Sequence, residues 1–431
     1  MHFAFLAMIV VLVALTVFGF PVGIAMLCSG FLYVLLAHMD PGFVTQQIVE
    51  GLFSNFLGLA IPLFIFSAKV MNSGSVTDRL LKFVLSVIGR FRGGLGHVNI
   101  VTNIFFAGMS GSGVADAAGV GVVLFRMMTK NGLYPPGFAA ALSSSASTIG
   151  AIIPPSIIMI LYALVSGASI GALFLSGIVP GLLMGLSLMV LVYIAARRRH
   201  FPTEPAVRFA VAVRLFVGAI LPLMTPVLLL GGIYSGVFTP TEAAAVAAAY
   251  AIVLTTIVYR DQKWSGLYRI IVDTAKDTAA VMIIYAGALV FNFVVNLEQV
   301  PAHIGIWLNA LQLSNEAFLL VIMVVFLLLG AFVDGNALIL IAFPLVLPAI
   351  REHGIDLVYF GVLACVNVQL GSITPPYGIV LFIMSSLTET PLWDIIRNIW
   401  PFILALVIAL FVMIFVPQVV TFLPHLVHVG L

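Results

Sequence analysis

The chain has 431 residues, of which 62% are hydrophobic and only 8% charged, with a formal net charge of +2. So little charge cannot cover the surface of a water-soluble protein, which leaves an all-α polytopic membrane protein. The small positive balance points to no nucleic acid or other acidic partner, because basic residues in such a chain belong to membrane topology.

Apolar runs near membrane length recur from one end to the other. The first, at 3–19, reads as a span and not as a cleaved leader. With 21–38 it makes either two spans joined by a tight turn at FGFPVG (18–23) or one long kinked helix. A third crossing is expected at 47–71, where Lys69 closes the span and snorkels to the cytoplasmic interface. Residues 93–125, between Arg92 and Arg126, are too few for two crossings, which need ~40 apolar residues plus a turn. Both flanks are basic, so a hairpin that enters the membrane and returns to the same side fits 93–128. A helix at 136–166 is interrupted by Pro154-Pro155, and 169–196 closes the first half.

The second half repeats this order. Crossings are expected at 209–232, 241–258 and 277–298 within a scaffold segment 207–312. A hairpin at 314–350, a helix at 356–385 broken at Pro375-Pro376, and a closing helix at 392–417 follow. GAIIPPSIIMIL (150–161) matches GSITPPYGIVLF (371–382) as G-x-I-x-P-P-x-x-I, and SGSG (110–113) pairs with VDGN (333–336). Each half, 1–200 and 201–431, then has five crossings and one re-entrant hairpin. An odd number of crossings turns the second copy upside down. In this layout Arg351 alone among the 18 Lys and Arg falls on the side opposite the rest. Two inverted repeats with broken helices are the pattern of secondary transporters, whose binding site lies at the repeat interface.

Unwound backbone inside hydrocarbon survives only against protein, ions or water. The hairpin tips and the two breaks are such places. Helix-end carbonyls suit a bare hard cation, and helix N-termini suit an anion. Hydroxyl and amide oxygens from Ser110, Ser112, Ser145, Ser147 and Thr148, with Asn336, Ser372 and Thr374, add to them. Ser112, Ser145, Ser147, Thr148, Asn336 and Ser372 are the candidate substrate-binding set. Asp116 and Asp334 are the acids at the tips. Asp334, beside Gly335 and Asn336, is expected to serve a Na⁺ site or proton coupling, and Asp116 to cap the returning helix. Glu242, after Thr-Pro, reads as a helix-start acid ahead of an alanine run suited to close packing. GSGVADAAGVG lacks the GK[ST] of a phosphate loop, and no nucleophile–base pair stands out, so an enzyme is not expected. Cys28 and Cys365 give no disulfide or metal pattern, and the eight histidines have no ligand spacing.

FAGMSGSGVADAAGVG (106–121), SSSASTIGAIIPPSI (143–157), FTPTEAAA (238–245) and LGSITPPYG (370–378) resemble the large membrane subunit of TRAP transporters, the tripartite ATP-independent periplasmic carriers of bacteria. The resemblance covers nearly the whole chain. It implies a scaffold and a mobile transport domain holding both hairpins, working as an elevator in the bacterial inner membrane. It implies uptake of an organic acid such as a C4-dicarboxylate, sialic acid or a sugar acid, driven by Na⁺ as coupling ion. A periplasmic substrate-binding protein would deliver the acid, and a small four-helix membrane subunit would extend the scaffold. The chain starts with its own first span, so that subunit is expected as a separate chain. The first Na⁺ site would involve Ser110 with Gly150, Ile152 and Pro154, and the second Asp334 with Gly371 and Thr374. Two other readings stay open. One is a stand-alone Na⁺/anion symporter of related inverted-repeat fold, the other an anion channel.

Overall fold

The computed structural model describes residues 3–53, 56–73, 75–203, 205 and 207–427. The outer ends of the two halves, 1–2 and 428–431, lie outside the described residues, as do 54–55, 74, 204 and 206. Every regular element among the described residues is helical. Among the described residues six helices are long and apolar enough to cross a membrane: 170–199, 209–234, 240–258, 264–297, 335–352 and 392–415.

Helices α1 (Phe3–Val17) and α2 (Val22–Leu36) pack on each other across a turn containing Gly19 at φ +85°, so FGFPVG is a turn and not a kink. The span expected at 47–71 is not one helix. α3 (Gly42–Phe53) has no buried residue and carries Gln46, Gln47 and Glu50, and α4 (Ala60–Asn72) starts after a 3₁₀ turn at Phe56–Leu59. Polar side chains at that density suit a surface helix better than a spanning one. α5 (Val76–Ile88) was not anticipated: it buries Val76, Leu80, Leu81 and Val84 and leaves Asp78 and Lys82 exposed.

The stretch 93–128 holds α6 (Gly94–Ser110), the single turn α7 (Gly113–Asp116), a π-helical turn at Ala117–Gly121 and α8 (Val122–Thr129). α6 and α8 pack on each other as the arms of a hairpin whose tip is Gly111–Ser112. α9 (Pro136–Ser147) tightens into a 3₁₀ turn at Thr148–Ala151, stops before Pro154, and resumes as α10 (Ile157–Ser166). α11 (Ile170–Arg199) follows.

Beyond it come α12 (Phe209–Tyr234), α13 (Pro240–Ile252), α14 (Trp264–Leu297) and α15 (Val300–Ala310). α14 begins well before residue 277, because Asp273, Lys276 and Asp277 lower hydropathy without breaking a helix. A second hairpin, α16 (Asn315–Gly330) and α17 (Gly335–Glu352), precedes α18 (Leu357–Gly371), a break, and α19 (Ile379–Thr388). α20 (Leu392–Phe415) and a short α21 (Gln418–Val427) end the described chain. The order hairpin, broken helix, long helix thus occurs twice, and both Pro-Pro bonds are cis.

Packing divides the helices into two groups. α2, α3, α4, α12, α13 and α14 pack among themselves, and α5 lies on α12. Ala243, Ala244, Ala247, Ala248 and Ala251 line the buried face of α13, which lets α4 approach closely. At its start Thr239 and Glu242 form a capping box, with the Thr239 amide donating to Glu242 Oε2 at 2.8 Å. The second group gathers both hairpins, both broken helices, α11 and α20. α14 meets α17, and α4 meets α6, along the seam between the groups.

Candidate functional site

Each hairpin tip seats against the broken helix of its own half through glycine. Gly111 has φ +65°, and its carbonyl accepts a hydrogen bond from the Ile157 amide at 3.2 Å. A Cβ on Gly111 would collide with the Pro155 carbonyl, and one on Gly113 would stand 2.9 Å from the Ser147 carbonyl. In the second half a Cβ on Gly371 would stand 2.6 Å from the Gly330 backbone, and one on Gly335 2.7 Å from Val368. The halves also meet: the same Cβ on Gly113 would be 3.1 Å from Gln369 Oε1. Backbone this close leaves no room for side chains, which is why the motifs are glycine-rich.

Where the two tips converge on the seam lies a cavity of ≈ 170 Å³. Tip one contributes Ser110 through Ala115, tip two Asp334, Gly335 and Asn336, and the second break Gln369 and Ser372. The far wall is α4, through Ile65, Ala68, Lys69 and Asn72, and α14, through Asp277 and Val281.

Of the candidate substrate-binding residues, Ser112, Asn336 and Ser372 line this cavity. Ser145, Ser147 and Thr148 are fully buried behind it and are not part of its lining. Their hydroxyls donate back along their own helix, Ser145 to the Ala141 carbonyl at 2.9 Å, Ser147 to Ser144 at 2.8 Å and Thr148 to Ser145 at 2.7 Å. Such bonds loosen the end of a helix while leaving each oxygen's lone pairs free. Ser372 and Thr374 do the same, donating to the Gln369 and Leu370 carbonyls, each at 2.7 Å.

Of the candidate ion-site residues, Ser110 and Asp334 reach the cavity. Gly150 lies under the Asp116 carboxylate, so closely that any Cβ there would overlap it. The Ile152 carbonyl abuts Gly177 of α11, Pro154 opens the cis pair, and Gly371 sits on Gly330.

The acid expected to cap a helix is not the one that does so. Asp116 caps nothing: Ser112 is the cap of α7, its Oγ accepting from the Ala115 amide at 3.4 Å. Ser112 holds the extended φ −144°, ψ 118° that a cap requires, so the position was already taken. Asp116 is instead 1% exposed, and neither carboxylate oxygen has a hydrogen-bond partner among the described residues. The Ser110 hydroxyl is a neighbour of Asp116 but by geometry is also unpartnered. Asp334 is the cap, its Oδ1 accepting from the Asn336 and Ala337 amides at 3.0 and 3.3 Å while it borders the cavity.

Sequence reasoning missed the far wall. Lys69, expected to end its span at the interface, also pairs with Asp277, Nζ to Oδ2 2.7 Å. Asn72, one turn further along α4, has a buried Oδ1 without a partner. For Lys69 the signal was there, since an ionisable residue within an apolar run is a functional candidate by default, whereas Asp277 sits in a polar stretch that gave none. Among the described residues no three His, Cys, Asp or Glu side chains converge. A cation here would be held by carbonyl, hydroxyl and single carboxylate oxygens, the ligand set of a hard ion.

The chain matches the tripartite ATP-independent periplasmic transporter, DctM component, over residues 9–419. It is 40% identical to the C4-dicarboxylate TRAP transporter large permease protein DctM of Pseudomonas aeruginosa, covering 92% of this chain and 93% of that one. It is 37% identical to the sialic acid TRAP transporter large permease protein SiaM of Vibrio cholerae, covering 95% of each. The Alcanivorax borkumensis YdaH transporter has a similar fold, with a TM-score of 0.62 at 15% identity over 86% of this chain and 87% of that one. These matches span the hairpins and both breaks, and they place a multi-pass transport protein, not an enzyme, in a single family. The chain is a member of the DctM family, the large permease component of TRAP transporters.

Proposed function

We propose that this permease carries an organic carboxylate across the bacterial inner membrane, coupled to Na⁺, by an elevator movement of the hairpin group along the α4–α14 wall. The observation that carries the reading is the cavity at the seam, where both tips, the second break and unsatisfied polar atoms meet. Carboxylate as the substrate class is supported by the relatives named for C4-dicarboxylate and sialic acid uptake. A repeat is supported by the recurring order of hairpin, broken helix and long helix, and inversion is the arrangement such repeats take in secondary transporters.

Na⁺ coupling is supported by Asp116. An ionised carboxylate buried without a partner costs several kcal/mol, so it calls for a cation or a proton. We therefore add Asp116 to the first ion site, with Ser110, Gly150, Ile152 and Pro154. Asp334, Gly371 and Thr374 remain the proposed second site. Ser112, Asn336 and Ser372 remain the proposed substrate contacts, while Ser145, Ser147 and Thr148 support the break behind them. Family membership implies two partners, a small membrane subunit and a periplasmic binding protein, which would bring the acid to the opposite face.

The test is uptake of labelled succinate and N-acetylneuraminate into proteoliposomes holding this chain and its small subunit, with the binding protein outside. Accumulation above the external concentration only with inward Na⁺ is the expected result. Uptake by this chain alone would instead make it a stand-alone symporter, and Na⁺-independent flux that stops at equilibrium would make it a channel.

A further inference from the structure

The cavity wall opposite the hairpin tips holds a charge pair that the transport reading does not use. Ile65, Ala68, Lys69 and Asn72 recur at the spacing of one helix face, and that face of α4 looks into the cavity. Asp277 and Val281 do the same from α14. We propose that Lys69 is the receptor for a carboxylate of the substrate on this wall, and that Asp277 holds its ammonium until the anion arrives. The inference rests on the carboxylate reading above and names the residue that would recognise the charge.

Three observations converge on it. Among the residues lining the cavity Lys69 is the one cation, against Asp277 and Asp334. Without Lys69 the lining is negative, and an organic acid entering it would be repelled. With Lys69 and a Na⁺ beside Asp334 the lining becomes neutral, so the repulsion is gone and the local attraction of the ammonium, stronger in a partly dehydrated cleft than in bulk water, can act. Secondly, the pair borders the cavity unburied, its side chains 28% and 57% exposed. A solvated pair of that kind contributes ~0–1 kcal/mol to stability, so it is a poor tether for helices already joined elsewhere. α4 is held chiefly by the alanine face of α13. Thirdly, an ammonium has three donors and no acceptor, and one carboxylate contact at 2.7 Å leaves donors for a second anion. Exchange of one carboxylate for another at Lys69 needs only a rotamer change of a long side chain, with no movement of α4.

The experiment uses the purified complex of this chain with its small subunit, at saturating Na⁺ and without the binding protein. The probe is whichever of succinate or N-acetylneuraminate the wild type accumulates, measured beside its neutral amide. Lys69→Gln is expected to weaken binding of the acid about ten-fold while leaving the amide unchanged. Asp277→Asn is expected to leave acid binding equal or tighter, because it removes the competitor. A structural tether would behave differently: both variants would lose thermal stability and affinity for acid and amide alike. Lys69→Asp combined with Asp277→Lys would then restore both. That pattern, or unchanged acid affinity in Lys69→Gln, overturns the proposal. If the wild type accumulates neither acid, the carboxylate reading itself falls and takes this inference with it. If it accumulates one and Lys69→Gln binds it normally, only the role of Lys69 is lost.

Discussion

At the scale of single residues the two aspartates are separable by experiment, because each combines charge and hydrogen bonding differently. Asn caps helices about as well as Asp, so Asp334→Asn removes charge and keeps the cap, whereas Asp334→Ala removes both at about 1 kcal/mol. A second-ion-site role therefore predicts that Asp334→Asn already loses Na⁺-dependent uptake while melting near the wild-type temperature. Uptake lost only in Asp334→Ala would reduce the residue to a cap. The Asp116 carboxylate has no hydrogen bond to lose among the described residues. Asp116→Asn should remove the first site's share of the Na⁺-dependent rise in melting temperature and leave the Na⁺-free protein as stable or more so, since a costly buried charge is gone. A hundred-fold excess of Na⁺ over its dissociation constant would be worth about 2.7 kcal/mol in the wild type, enough to read in a thermal melt. An Asp116→Asn variant that keeps the full Na⁺ shift would remove Asp116 from the site. The sequence located both acids at the tips but not which one was satisfied. That depended on whether Ser112 or Asp116 took the cap, a matter of two backbone angles that no residue pattern encodes.

Helices and their interruptions were legible in proportion to how strongly single residues dictate them. Pro-Pro removes two amide donors and ends a helix wherever it falls, so both breaks could be placed within a few residues. Gly111 was legible as a tip for a related reason. α3 and α5 were not, because a search for membrane-length apolar runs passes over short helices that lie on a surface with one wet face. The Gly111 geometry gives an element-level prediction. Gly111→Ala puts a side chain into a left-handed backbone and onto the Pro155 carbonyl, for a cost of ~1–3 kcal/mol. It should lower the melting temperature and reduce uptake with every carboxylate equally, since it displaces the tip and not a substrate contact. Gly132, also at positive φ but with open space around it, is the control: its Ala variant carries only the backbone strain and should retain uptake. Equal loss in both variants would mean that strain alone, and not the seating of the tip on the break, governs the effect.

For the whole molecule the informative feature is the seam. α14 runs past the cavity between the tips through Asp277 and Val281, and further along borders a second cavity of ≈ 460 Å³. That one is lined by Asn292 and Asn296 of α14, by Val165 of α10, and by Pro344 and Arg351 of α17. Between the two, α10 and α17 close the seam with Tyr162, Leu340 and Phe343, all essentially fully buried or nearly so. In the proposed elevator, sliding of the hairpin group would open one of these two cavities as it closes the other, as alternating access requires. One direct hydrogen bond across the seam is the Asn292 side-chain amide donating to the Leu340 carbonyl at 3.1 Å. If α14 is a fixed wall, that contact must break in each cycle. With Cys28 and Cys365 replaced, Asn292→Cys combined with Leu340→Cys should form an oxidative crosslink that stops uptake, and a reductant should restore it. Each single variant under the same oxidant should keep transporting, which controls for damage to the core around Leu340. If loss of free thiols shows the crosslink complete while uptake continues at its reduced-state rate, α14 and α17 move together. The elevator boundary would then have to be drawn elsewhere in the fold.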